Sequence, residues 1–250
     1  MGKNNFIVYT AISRGFDTLK PPPPLWQQEA RFVAFLEKPQ ATPGWDIRPL
    51  HREFKDPCRN AKIHKVMPHR YFPDAEYSLW IDGCMALAST TPLKEIVRTC
   101  LRRHDIALHQ HPLRDSLYQE ALYCLKFKMD RADLIHRQMQ RYMDEGYPQH
   151  AGMVECTVIL RRHTPAIQRL NEAWYEEIKL GSRRDQLSFN YAAYKTGMKY
   201  GLLPGTVNDS PHFVRMPHTG QRHKPSPRDL DVVMKSGMNS TARKCQMTRA

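Results

Sequence analysis

The chain of 250 residues is long enough for one α/β domain or two small ones, and its 41% hydrophobic content excludes wholesale disorder. No apolar run approaches the roughly 20 residues that cross a bilayer, and cysteines at 58, 84, 100, 124, 156 and 245, with no C-x-x-C pair, argue against a disulfide framework or structural zinc. The formal charge of +13 fits a nucleic acid, an anionic membrane surface or a phosphorylated substrate, and charge alone does not choose among them.

In chain order, Met1-Gly2-Lys3-Asn4-Asn5 has no secretory pattern, and Phe6 stands where a myristoylation motif needs Ser or Thr, so a cytoplasmic location is expected. Phe6 to Ile12 reads as a first strand, followed by a loop with Gly15 and Asp17. Pro21 to Pro24 reads as a polyproline II spacer. Arg31 to Leu36 and Trp45 to Leu50 read as strands, residues 57–70 as helix, and Tyr77 to Ile81 as a short buried strand ended by Gly83. Thr91-Pro92 opens a helix with Thr91 as N-cap and Pro92 at the first helical position.

Ile106 to Leu108 returns as strand, Leu117 to Met129 and Asp133 to Glu145 as two helices, and Val154 to Leu160 as strand. Pro165 to Ile178 and Asp185 to Thr196 are expected helices, after which Gly201 to Val207 returns toward the sheet. Trp26, Trp45, Trp80 and Trp174 read as core packing, with Trp174 the alternative candidate for stacking on a ligand. Alternating strands and helices of these lengths predict a mainly parallel sheet flanked by helices. From Gln221 to Ala250 seven cations face two acids, and a flexible basic tail is expected over 218–250 behind a domain at 1–217. Such a tail suits an anionic membrane surface. No specific nucleic acid is expected, because aromatics are not interleaved with those cations.

Asp82 carries the most chemistry. It ends a buried strand, where open α/β sheets place their ligands, with Arg59, Lys62 and Lys65 upstream at helical spacing. A carboxylate near several cations suits a divalent metal on a diphosphate, and the bland alternative is a helix N-cap. The three cations share a broad face that reads either as diphosphate contacts or as a solvated helix face. His109-Gln110-His111 would present two rings on one side of a strand, but no third ligand lies nearby in sequence.

Several patterns match one family together. They are Tyr9-Thr10-Ala11-Ile12 with Gly15 and Asp17; Arg59, Lys62, Lys65 and His69; and Phe72-Pro73 with Tyr77-Ser78-Leu79-Trp80-Ile81-Asp82. Further on come His111, Arg114 and Glu120; Val158-Ile159-Leu160-Arg161 with His163; and Arg183-Arg184-Asp185-Gln186-Leu187-Ser188-Phe189. From about residue 6 to about residue 215 the chain resembles the glycosyltransferase-like family of bacterial and plant Golgi proteins, formerly a domain of unknown function.

The resemblance implies a GT-A-like, Rossmann-type α/β fold of the nucleotide-diphospho-sugar transferase kind, and transfer of a sugar from a nucleoside-diphosphate sugar to a glycan or lipid-linked acceptor. It implies donor binding by Thr10, Ala11, Asp17, Arg59, Lys62, Lys65, Asp82, Gly83, Arg161 and His163, and an acceptor side at His111, Arg114 and Glu120. Asp185, Gln186 and Glu155 are the catalytic candidates, although Asp185 is equally suited to cap a helix. Mn2+ or Mg2+ is implied at Asp82 with His212 as a late ligand, but Cys84 replaces the second carboxylate of Asp-x-Asp and is a poor partner for a hard cation. The other readings are a degenerate nucleotide-sugar-binding protein, a basic nucleic-acid-binding protein and, remotely, a ceramide hydrolase, an activity attached to some plant relatives.

Overall fold

The computed structural model describes residues 5–219. Its strands are β1 (Phe6–Ile12), β2 (Arg31–Leu36), β3 (Asp46–Pro49), β4 (Tyr77–Ile81), β5 (Met85–Leu87), β6 (Ile106–Gln110), β7 (Val154–Arg162), β8 (Gly201–Leu202) and β9 (Phe213–Arg215). Seven of them form a sheet in the order β3-β2-β1-β4-β7-β6-β8, and β5 pairs with β9 in a separate two-stranded sheet. In the large sheet, β7 alone runs against its neighbours, pairing Tyr77 with Arg162 and Ile81 with Val158. The mainly parallel α/β sheet expected from the sequence is present, with one reversed strand.

β1 is buried along its whole length because its side chains feed two cores alternately, as a strand covered on both faces must. Ile7, Tyr9 and Ala11 point to one side, where helices α2 (Pro57–Val66), α7 (Pro165–Leu180) and α8 (Phe189–Thr196) supply Ile63, Val66, Trp174 and Phe189. Phe6, Val8 and Ile12 point to the other, against Trp26 of α1 (Pro24–Glu29) and Leu93 and Ile96 of α4 (Leu93–Cys100). A third cluster joins α5 (Leu117–Lys126) and α6 (Ala132–Asp144) to Leu187 and Tyr191.

Helix ends follow local chemistry in most places. The Asp56 side chain accepts from Cys58 N and opens α2, Thr164 accepts from Ile167 N ahead of Pro165 in α7, and Gly197 closes α8 at φ 66°. Four elements differ from expectation. The 57–70 helix breaks at Met67, because Pro68 disfavours helical backbone at the residue before it, and restarts as α3 (Pro68–Tyr71). The proline run ends by opening α1 at Pro24, a good first helical residue. The N-cap of α4 is Pro92 and not Thr91, and the Glu29 carboxylate at the end of α1 accepts from Leu93 N at 2.5 Å. Asp185 opens a 3-10 turn (Asp185–Leu187) before α8, without capping it.

The pairing of β6 with β7 shifts register, Leu108 facing Ile159 but His109 facing Glu155. The extra residues bulge β7 beside the carboxyl end of β4, where Asp82 N donates to Thr157 O. The expected basic tail lies outside the described residues from 220 onward; His218 and Thr219 pack on the loop after β1.

Candidate active site

The carboxyl ends of β1 and β4 and the start of β7 meet at one edge of the sheet, and there four charged side chains form a chain. Lys65, in the last turn of α2, has a side chain only 1% exposed, and its Nζ lies 3.0 Å from Asp82 Oδ1 and 2.6 Å from Asp185 Oδ2. Lys62, one turn earlier on the same helix face, reaches Asp185 Oδ1 at 2.9 Å. Asp82 Oδ1 also accepts from Trp80 Nε1 at 2.7 Å, two residues back on the same side of the strand. Behind the chain, Trp174 Nε1 donates to Asp185 O, and Tyr9 OH donates to Lys65 O while accepting from Arg161 Nη1.

The electrostatics follow from that geometry. Burial alone would drive the Lys65 ammonium toward its neutral form, but Asp185 and Asp82 outweigh it and the net shift is upward. Burial would likewise protonate Asp185, and Lys62 and Lys65 reverse this to hold it ionised well below the usual carboxylate range. Asp185 is therefore an anchor for two ammonium groups. Glu155 behaves oppositely: burial, then the neighbouring Glu120, raise its pKa and favour the proton.

These residues floor a cleft of about 540 Å³. Ala11, Asp17, Gly83, Glu155 and Gln186 line it as the sequence suggests. Gly83 fits tightly, since a Cβ there would come 2.8 Å from Asp17 Cβ. Lys128, Arg183, Arg184, Arg215 and His218 also line it. His218 Nδ1 sits 3.0 Å from Asp17 Oδ1, and its ring lies 4.9 Å from that of Phe16.

Other expected site residues lie elsewhere. Because β7 is antiparallel, its start and not its end reaches the carboxyl edge, so Glu155 lines the cleft while Arg161 and His163 sit beside the beginning of β4. Arg161 is buried under Tyr9, and His163 Nε2 meets Ser78 Oγ at 2.8 Å. Arg59 turns away to the end of α7, donating to the carbonyls of Ile178 and Gly181. Thr10 is buried under the loop and lines only a small void beside the cleft.

His111, Arg114 and Glu120 form a buried ionic group behind Glu155. Arg114 Nε donates to Glu120 Oε2 at 2.6 Å, and His111 Nε2 stands 3.6 Å from Glu155 Oε2. Burial, with Arg114 next, lowers the His111 pKa to about 3. None of the three lines the cleft.

The donor set does not fit the divalent metal that the resemblance implies. Asp82 Oδ1 already holds an ammonium and an indole N–H. Cys84 packs into the apolar core with its thiol pushed up to about 12 by burial, and His212 Nδ1 pairs with Ser89 Oγ at 2.8 Å. Among the described residues no group of three His, Cys, Asp or Glu side chains is placed to hold a metal ion.

Residues 44–203, which contain most of this site, match the family TOD1/MUCI70, glycosyltransferase-like domain. The chain belongs to that family. Over 221 residues it is 28% identical to the "Probable hexosyltransferase MUCI70" of Arabidopsis thaliana, covering 77% of this chain and 38% of that protein. Over 147 residues it is 25% identical to the "Alkaline ceramidase TOD1" of the same plant, covering 55% of this chain and 32% of that protein. The chain thus spans only about a third of the length of either relative. The stretch matched to the TOD1/MUCI70 family ends before Arg215 and His218, two of the cleft residues that sequence reasoning missed. The signal for Arg215 was available in Phe213-Val214-Arg215, a short alternating run that forms β9 opposite Met85.

Proposed function

We propose that the chain is a glycosyltransferase that moves a sugar from a nucleoside-diphosphate sugar to a hydroxyl of a glycan or lipid-linked acceptor. The name of the first relative makes a hexose the sugar of choice. The observation that carries this reading is the Lys62–Asp185–Lys65–Asp82 chain, fixed at the carboxyl edge of an α/β sheet in a cleft large enough for a nucleotide sugar. In the reaction, the bond from the anomeric carbon to the β-phosphate oxygen breaks with its electron pair on that oxygen. A bond from the acceptor oxygen to the anomeric carbon forms, and the acceptor proton passes to a base.

Glu155 suits that last role better than Asp185. A base works best with a pKa raised toward the operating pH, and Glu155 is so raised, whereas Asp185 is held low by two lysines. Asp185 and Gln186 then orient the donor side. The test is release of nucleoside diphosphate from a panel of nucleotide sugars, with and without oligosaccharide acceptors. Glu155→Gln should lower turnover by about 10²–10⁴-fold with little change in donor affinity. No turnover and no nucleotide-sugar binding by the folded wild-type chain would refute the reading.

A further inference from the structure

In a nucleotide-sugar site built on two carboxylates, a divalent cation sits between them and the diphosphate. Here the place between Asp82 and Asp185 is taken by the chain itself. The Lys65 ammonium bridges Asp82 Oδ1 at 3.0 Å and Asp185 Oδ2 at 2.6 Å, and its stem is packed under the cleft floor with the carbonyl of the same residue fixed by Tyr9 OH. A metal entering this site would have to expel a buried ammonium whose ion-pair partners among the described residues are these same two carboxylates, which is a strongly unfavourable exchange. The remaining cleft carboxylates do not compensate, since Asp17 is engaged by His218 and Glu155 is buried against His111.

The charge of the cleft is arranged to match. Lys62, Asp185, Lys65 and Asp82 sum to zero, so they neither repel nor strongly attract a phosphate. Beyond them the cleft is lined by Arg14, Lys128 and Arg215, which form no ion pair among the described residues, and by Arg183 and Arg184, each already facing a carboxylate. Across the whole lining, seven Lys and Arg side chains face four Asp and Glu. Lys128 and Arg215 come from different elements, the turn after α5 and the end of β9, and converge on the same space. That surplus has the sign and position that a metal would otherwise supply to a leaving diphosphate.

Resting on the transferase reading above, we propose that Lys65 is a built-in replacement for the divalent cation, and that Lys128 and Arg215 neutralise the donor's diphosphate without metal. The site would therefore take a nucleoside diphosphate in the presence of a chelator as well as in the presence of Mn2+.

The experiment is calorimetric titration of the full chain with UDP, GDP, ADP and CDP, each in EDTA and in Mn2+. The nucleotide that binds should do so with Kd values within about threefold of each other in the two buffers, and Arg215→Ala should weaken it about tenfold or more in both. A Kd more than about tenfold weaker in EDTA would overturn the proposal while leaving the transferase reading intact. Absence of binding by all four in both buffers would sink that reading and the inference with it. A second variant, Lys65→Ala, vacates the seat between the two carboxylates. Mn2+ should raise its Tm and leave the wild-type Tm unmoved, because only the variant offers a cation site to the folded state. An equal rise in both proteins would overturn the proposal. If the variant does not fold, the wild-type titration alone decides.

Discussion

Two cations are buried at the two ends of one hydrogen-bonded relay, and the protein treats them differently. Lys65 faces two carboxylates, while Arg161, fully buried, has Tyr9 OH as its hydrogen-bond partner and leaves Nε and Nη2 without partners among the described residues. Tyr9 OH links them, accepting from Arg161 and donating to Lys65 O. Burial lowers the Arg161 pKa despite Tyr9, whereas carboxylates carry that of Lys65 upward. The contrast teaches where charge is used. At the cleft it is compensated and held in place, and one residue before the end of β7 it is tolerated as a prop under a tyrosine.

The largest effect should come from breaking the compensated end. Lys65→Met strands Asp82 and half of Asp185 beside an apolar side chain, and removing one partner of a buried pair costs about 3–5 kcal/mol. Urea unfolding at pH 7 should show that loss, together with loss of nucleotide binding. A variant as stable as wild type would mean that Lys65 is not the electrostatic centre of the site.

Mild acid separates the two ends by the pH window in which each loses stability. Burial, with Arg161 next, lowers the His163 pKa to about 4. Its folded value thus lies below its unfolded one, the unfolded chain binds the extra proton, and stability is lost as pH falls from about 6.5 toward 4, at up to about 1.4 kcal/mol per unit. Asp185 is also depressed, but its unfolded pKa is that of an ordinary carboxylate, so its contribution is intact above about 4 and is lost only below. Unfolding free energies at pH 6.5, 5.5 and 4.5 should fall in wild type and fall less steeply in His163→Gln. Equal slopes would remove His163 from the account. His64 and His111, each lowered to about 3 mainly by burial, add to the same slope in both proteins.

How far the site was legible in the sequence depends on what kind of information each residue needed. Lys62, Lys65 and Asp82 were legible because helical spacing and a strand end are local facts, and Asp185 and Gln186 because the pattern around them is local too. Arg161 and His163 were misplaced because a strand's periodicity has no direction. Val154–Arg162 reads the same way whether it runs with β4 or against it, and running against it exchanges the cleft end for the far end. Arg59 shares the helix of Lys62 and Lys65, but each three-residue step falls short of a full turn, so six residues carry it about 120° round α2 from Lys65, to where the carbonyls closing α7 capture it. Thr91 lost its capping role to Glu29, more than sixty residues away in sequence, and a histidine near the end of the described chain does reach the cleft, but it is His218 and not His212. Fold class was easier than site because buried strands and amphipathic helices are each specified by their own residues, whereas a cleft is specified by which ends coincide.

The smallest effect should come from the uncompensated end. Arg161→Met removes a buried charge that has no carboxylate and replaces it with an apolar side chain of similar length against Trp174, whose ring lies 5.9 Å from the guanidinium. The desolvation cost of the cation disappears, and the variant loses the hydrogen bond to Tyr9 OH, which still donates to Lys65 O. These terms oppose one another, so stability at pH 7 should lie between no change and a gain of about 1 kcal/mol, against the loss of about 3–5 kcal/mol for Lys65→Met. The same variant should raise the His163 pKa, because the neighbouring positive charge is gone, and a histidine titration followed by NMR reads that directly. Nucleotide affinity should fall only as far as the freer Tyr9 loosens the last turn of α2. A loss of stability as large as that of Lys65→Met would mean that the guanidinium is compensated after all, and the distinction between the two ends of the relay would fall.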